Sequence, residues 1–480
     1  MKYLFFLCLL SVGMMFTKAQ QASEPPYVQR YSPDSLQQWT RDLMTEVSKG
    51  HPGFYRYTSP ARFDQRIDST IQTIQDSLTS LEFYRKLKPL FAQIGCLHTS
   101  LNLSESYQTQ LEKTGDLIPL EVFVDAQMDA YVSKKYASHS DLPIAGKILA
   151  INEVPIGDIL SKLYAAIPSD GYNTSLKRLL LSLEFAQWYQ IIINLQGPFS
   201  VKVEHQDQIS SYLLDGVSSE AFPAEEWLYS NVPQLSLEVK EEEALLTIRT
   251  FAKTEIKKNG QKFTSFIRQT FQQLEEANIS RLIIDLRYNT GGTDGNAAFL
   301  ASYFFDKPFR YWEKVEVTEL IASQIKGYHR LFFPKPVKVD SHYLWKGAHF
   351  TKEFDYYKLQ QVAKQPFKGT VFLLTNGLCM SSCSDFVAIL SHNEKATVVG
   401  EESGGGYQGN SSGMMPTYPI HPHMEMTLPL QKYTNAVDLD KYPGRGTIPD
   451  IKLPPTVHDW INGPDSQLES AIKLIREVNQ

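Results

Sequence analysis

This 480-residue sequence predicts an α/β protein whose main sheet is parallel, and three observations carry that reading. Arg281-Leu-Ile-Ile-Asp-Leu-Arg287 and Thr370-Val-Phe-Leu-Leu-Thr375 are apolar, β-rich runs of strand length. Each ends in a turn and is followed by a stretch with helical spacing. Ala244-Leu-Leu-Thr-Ile-Arg249, an amphipathic helix over 261–277 and a strand over 282–286 form a strand-helix-strand unit, which makes the two strands parallel.

The chain begins with one lysine and an apolar run, Met1 to Phe16, too short to span a bilayer comfortably, and Thr17-Lys-Ala19 offers a small residue for cleavage. Residues 1–19 therefore read as a signal peptide, and the mature protein is expected to be secreted or periplasmic. Residues 20–30 read as a polar leader. Ser32-Pro33 starts a helix in cap-then-proline order, with Leu36, Trp39, Leu43 and Val47 on one face and Gly50-His-Pro52 as its stop. A second helix follows Ser59-Pro60, striped by Phe63, Ile67, Ile71, Ile74 and Leu78. Thr79-Ser-Leu-Glu82 is a capping-box pattern opening a third, which runs through Leu87, Leu90 and Phe91 to Ile94. Such stripes are core faces.

From 117 to 215 the pattern changes to short strands (118–124, 130–133, 146–152) and helices over 157–166 and 173–193. Residues 309–369 are polar and aromatic, and read as an insertion shaping a substrate cleft. After Thr375 come a short strand at 397–400, then Gly404-Gly-Gly406, whose backbone can approach a ligand closely, a strand over 424–430, an edge segment at 446–453 and a closing helix over 467–478. The net charge of -6 is mild and Lys and Arg form no long block, which argues against nucleic acid or an anionic membrane as partner. Beyond the leader, no stretch is apolar for long enough to cross a bilayer.

Met380-Ser-Ser-Cys-Ser-Asp385 places serines at a helix N-terminus, where free N–H groups stabilise an anion. Taken alone, these are turn and cap residues. Asp285-Leu-Arg-Tyr-Asn-Thr-Gly-Gly292 adds a second strand-loop-helix unit with paired backbone donors. Together the two meet the needs of an oxyanion-stabilised serine hydrolase.

These two segments, Gly400-Glu401 with the glycines after it, Gly446-Thr-Ile-Pro-Asp450 and, upstream, Ile94-Gly-Cys-Leu-His-Thr99 resemble, in the same order, the tricorn-type and carboxy-terminal processing (tail-specific) serine peptidases. The resemblance implies a crotonase-like αβ spiral catalytic domain (236–480), a PDZ-like α+β domain (113–235) and a helical N-terminal domain carrying the His98 motif (20–112). It implies a peptidase acting on peptides or unfolded proteins through an acyl-enzyme, without metal or cofactor. A PDZ-like region would bind peptide by strand addition, or serve as a spacer. The family places its serine three residues before an acidic residue, which selects Ser382 over Ser381 and Ser384. Cys383, with Gly291 or Gly292, would supply the oxyanion hole. Many processing proteases use a lysine in the glycine-rich loop after Gly400-Glu401, but the first lysine downstream of that pair is Lys432, so His98 is the expected base. Glu401, Asp438 and Asp440 are candidates for the acid orienting it. A catalytically weak peptide-binding protein of the same fold is the alternative.

The motifs also bring Cys96, Cys379 and Cys383 to one site. An oxidising compartment then points to a Cys96–Cys379 disulfide, with buried thiols or a Cys and His zinc site as the other outcomes.

Overall fold

The computed structural model describes residues 28–136, 141–222, 233–340, 342–346, 358–463 and 465–477. The expected signal peptide, 1–19, lies outside the described residues. The N-terminal helices begin where their caps predict. Pro33–Gly50 opens with the Ser32 hydroxyl accepting from the Ser35 N–H, and Ser80–Ala92 opens with a complete capping box between Thr79 and Glu82. Leu36, Leu43, Val47, Phe63, Leu87 and Phe91 are buried.

The main sheet has six strands in the order Leu235–Lys240, Glu243–Ile248, Arg281–Asp285, Thr370–Thr375, Thr397–Gly400 and Ile451–Lys452. The first pair is antiparallel and every later pair parallel. Both faces are covered, which explains the unbroken apolar strands. Side chains alternate between two cores as a pleated strand requires. Ile283, Phe372, Leu374 and Val399 pack with Ala471 and Ile475 of the helix Ser466–Glu477. Leu282, Ile284 and Leu373 face the opposite core with Ile267, Phe271, Phe386 and Ile389. That second core is continuous with the N-terminal helices through Leu87, Leu90 and Ile94, so no break in packing separates them from the sheet.

Two smaller sheets complete this body. Trp312–Val317, Val337–Val339 and His342–Leu344 join Gln431–Asn435 and Ser411–Ser412 in an antiparallel sheet. The first half of the segment at 309–369 is therefore built into the domain, while 347–357 lie outside the described residues. Ser100–Leu103 pairs antiparallel with Met424–Thr427, which in turn pairs with Thr417–His421. This pairing ties the segment after His98 to the C-terminal half of the chain.

Residues 117–222 have a core of their own, made of Val122, Ile148, Leu160, Phe185, Val201 and neighbours. The sheet order there is Leu120–Val124, Ala130–Lys135, Lys147–Ile151, Phe199–His205, Gln208–Leu214, with helices Ile156–Ala166 and Ser175–Ile192. The turn at Asn152-Glu153 has positive φ at both residues (48° and 60°), and Asn152 Oδ1 accepts from the Ser200 N–H at 2.8 Å. An asparagine suits that left-handed position even though glutamate follows it. Among the described residues, no helix is long and apolar enough to cross a membrane.

Candidate active site

The candidate site lies where adjacent parallel strands end, the usual position for ligands in such sheets. Strands Arg281–Asp285 and Thr370–Thr375 deliver the loops 286–292 and 376–381, and these are stitched together. Asn376 Oδ1 accepts from the Tyr288 N–H (3.0 Å) and the Leu378 N–H (3.1 Å), Met380 N–H donates to the Asn289 carbonyl (3.3 Å), and the Cys379 thiol donates to the Leu286 carbonyl (3.0 Å). The helix Ser382–His392 starts directly from this junction.

The three serines have different surroundings. Ser384 Oγ donates to the Ser381 carbonyl at 2.8 Å. Ser381 is the helix cap and sits at φ 53°, ψ −131°, a conformation costly for any residue with a side chain. Ser382 is buried, and its hydroxyl has no hydrogen-bond partner among the described residues.

The glycine pair is required by close approach. A Cβ on Gly291 would sit 2.7 Å from the Met380 carbonyl oxygen and 3.1 Å from Ser382 N, and one on Gly292 only 2.2 Å from Ala252 N. Their φ values, 94° and 138°, also belong to glycine. The expected set of oxyanion donors is narrowed here. Gly291 N–H donates to Asn289 Oδ1 (2.9 Å) and Cys383 N–H to the Met380 carbonyl (3.0 Å), because an Asx turn and the first helical turn each close on themselves. Among the described residues, Gly292 N–H meets no acceptor.

His98 lies in the turn between Ser80–Ala92 and Ser100–Leu103. Burial pushes its pKa down to about 4, partly offset by a hydrogen bond with the Ser411 backbone, so the ring is neutral at physiological pH. Its Nδ1 is buried without a partner among the described residues. No hydrogen bond joins it to Ser382. The two are linked through one strap, 404–412, whose Gly405 packs on Ser384 and Ser381 and whose Ser411 backbone faces His98.

None of the expected acids is turned toward His98. Glu401 is buried in an ion pair with Arg178, which opposes the upward push of burial on its pKa. Asp438 and Asp440 are exposed beside each other, and Asp438 Oδ1 accepts from the Asp440 N–H (2.9 Å). Lys432 pairs with Glu316 at 3.2 Å. The cysteines correct a further expectation, since Cys96, Cys379 and Cys383 are all free thiols. The Cys96 thiol points to the Ser411 carbonyl (3.5 Å) and the Cys379 thiol to the Leu286 carbonyl, so each faces a different backbone segment and the Cys96–Cys379 bond is not formed. Among the described residues, no group of three or more His, Cys, Asp or Glu could hold a metal ion.

Three buried polar residues at the site escape sequence reasoning. Asp385, the acid used only to count back to Ser382, accepts from Asn435 Nδ2 (2.9 Å) and Asn410 Nδ2 (3.3 Å), and burial with Asp294 nearby raises its pKa to about 7. His51 hydrogen-bonds Thr99, the neighbour of His98. Asp170 Oδ1 accepts from the Leu97 N–H and Oδ2 from the Gly406 N–H, both at 3.0 Å. In the sequence, His51 is a helix stop and Ser169-Asp170-Gly171 an ordinary turn. Only an unusual demand for acceptors, invisible locally, separates them from such residues.

Residues 243–453 match the model of Peptidase family S41. The fold is similar to that of mature CPAF complexed with lactacystin, with a TM-score of 0.64 at 13% identity, covering 93% of this chain and 98% of that one. Mature CPAF alone gives 0.61 at 13% identity, with 93% and 98% covered. The matched segment spans the parallel strands from Glu243–Ile248 to Ile451–Lys452 and every loop at their ends, including the one that carries Ser382. Residues 243–453 therefore match a peptidase family S41 domain, and the chain as a whole shares its fold with mature CPAF.

Proposed function

We propose that the protein is a secreted or periplasmic endopeptidase that cleaves peptides or unfolded proteins through an acyl-enzyme, with Ser382 as nucleophile and His98 as base. The observation that carries this reading is that Ser382 Oγ and His98 Nδ1 are both buried polar atoms without partners among the described residues. Buried polar groups are normally satisfied, and orphaned ones mark strain or chemistry. A neutral imidazole can take the serine proton, and the resulting alkoxide attacks the scissile carbonyl. Gly292 N–H then supports the oxyanion. The leaving amine takes the proton back, and water repeats the sequence on the ester.

In this reading the body at 236–480 is the crotonase-like catalytic domain, 113–235 the PDZ-like domain and 20–112 the helical domain that contributes His98. Residues 1–19 are the export signal. Ser382→Ala and His98→Ala should each remove most of the reaction of the mature chain with a fluorophosphonate, and the double variant should lose little more, because the pair acts as one unit. Full labelling of His98→Ala would sink the base assignment.

One observation favours the weaker alternative, a peptide-binding protein of this fold. No carboxylate among Glu401, Asp438 and Asp440 orients His98. Absence of labelling at Ser382, together with saturable peptide binding, would select it.

A further inference from the structure

We propose that Asp170 is the positioning residue of the catalytic base, holding the His98 turn and the glycine-rich strap in register through one carboxylate. The inference rests on the assignment of His98 as base and adds a residue that acts through the backbone rather than through the imidazole.

Asp170 lies between helices Ile156–Ala166 and Ser175–Ile192, outside the family-matched segment, yet its side chain reaches the site. Oδ1 accepts the N–H of Leu97, the residue before His98, while Oδ2 accepts the N–H of Gly406 in the strap. The same turn adds backbone support, with Gly171 N–H donating to the Gly95 carbonyl (3.0 Å) and Tyr172 N–H to the Gly444 carbonyl (2.7 Å). The strap carries Ser411, whose backbone meets the His98 ring, and Gly405, which packs on the cap of the Ser382 helix. One carboxylate thus fixes the backbone on the histidine side and on the serine side together. Two donors converge from opposite loops, and only an acceptor with two free oxygens satisfies both. An asparagine supplies one oxygen and would turn an N–H₂ toward the other amide.

The clamp works in its ionised form. Asp170 is 1% exposed, and burial raises its pKa to about 6, opposed by the two amide bonds and by Arg56. The groups facing it are Arg56, Tyr57 and Cys96, with Asp385 acting from the nucleophile helix. Protonation turns one oxygen into a donor aimed at an N–H and opens one side of the clamp. The base itself ionises lower, at about 4. Positioning should therefore fail on acidification before the imidazole is protonated.

The test measures the rate of fluorophosphonate labelling of the full mature chain and of Asp170→Asn between pH 4.5 and 8. At pH 7.5 the variant should label on the order of tenfold or more slowly, as misplacement of a reacting group predicts. The wild-type rate should rise through about pH 6, and the variant should lack that rise. A variant that labels at the wild-type rate, or keeps the rise, overturns the proposal. A second measurement does not depend on catalysis. In the Ser382→Ala chain, amide-exchange protection at Leu97 or Gly406 should drop as pH falls through about 6, beyond the change at Gly171, and unchanged protection at both would overturn the clamp. Wild type that fails to label at all would instead refute the catalytic reading, leaving the amide measurement to decide the clamp.

Discussion

His51 Nε2 lies 2.8 Å from Thr99 Oγ1 while its Nδ1 accepts from the Gly53 N–H at 3.0 Å. The second bond fixes the tautomer, because an accepting Nδ1 leaves the proton on Nε2, which then donates to Thr99. Burial drives the His51 pKa down to about 3, so this arrangement persists across the working range. Thr99 follows His98 directly. His51→Ala should lower unfolding stability by roughly 1–3 kcal/mol, the cost of leaving buried partners unsatisfied. Urea unfolding at pH 7.5 checks this, and an unchanged midpoint would show that the bond contributes nothing.

The strained cap Ser381 makes an opposite prediction. At φ 53° and ψ −131°, glycine is at ease and a β-branched residue is not. Ser381→Gly should be neutral or stabilising by up to about 1 kcal/mol, and Ser381→Val destabilising by about 1–3 kcal/mol. Equal midpoints for the two variants would remove strain as the explanation.

The buried carboxylates give stability a pH dependence of definite sign. Asp385 holds its proton up to about pH 7 in the folded chain, against an ordinary value of 3.8. Between these pH values the folded state binds more protons than the unfolded one, so this residue's contribution declines as pH rises, by at most about 1.4 kcal/mol per unit. His98, lowered from 6.5 to about 4, acts in the other direction and adds stability as pH rises from 4 to 6.5. The Asp385→Asn chain should therefore gain stability more steeply than wild type between pH 4 and 7. Parallel curves of unfolding free energy against pH would refute the raised pKa.

Thiol titration offers a fourth check. Cys96, Cys379 and Cys383 should all react with a thiol reagent in denatured, unreduced mature protein, and slowly in the native state, because all three are buried. A single reactive thiol would restore the disulfide.

What the sequence made legible was local. The helix starts at Ser32-Pro33 and Thr79-Glu82 follow from cap chemistry, and the parallel strands at 281–285 and 370–375 from their apolar runs. The strand Ser100–Leu103 was not legible, because its partner Met424–Thr427 is remote in sequence and four residues hold little periodicity. The disulfide failed for a related reason. Nearness of motifs brings cysteines to one region, but the direction of each thiol depends on which backbone carbonyl it meets. Asp170 and His51 became visible only when distant N–H and hydroxyl groups arrived beside them.

The pairing of Ser100–Leu103 with Met424–Thr427 also sets an order of events during synthesis. On a ribosome the histidine turn emerges early and its partner strand near the end of the chain. Until Thr427 has left the exit tunnel, the turn lacks the edge that seats it, although the strap carrying Ser411 has already emerged. Contacts this remote are formed late. A partly made or truncated chain that lacks Met424–Thr427 therefore leaves Ser100–Leu103 without that edge, and the turn carrying His98 is seated only once the late strand arrives.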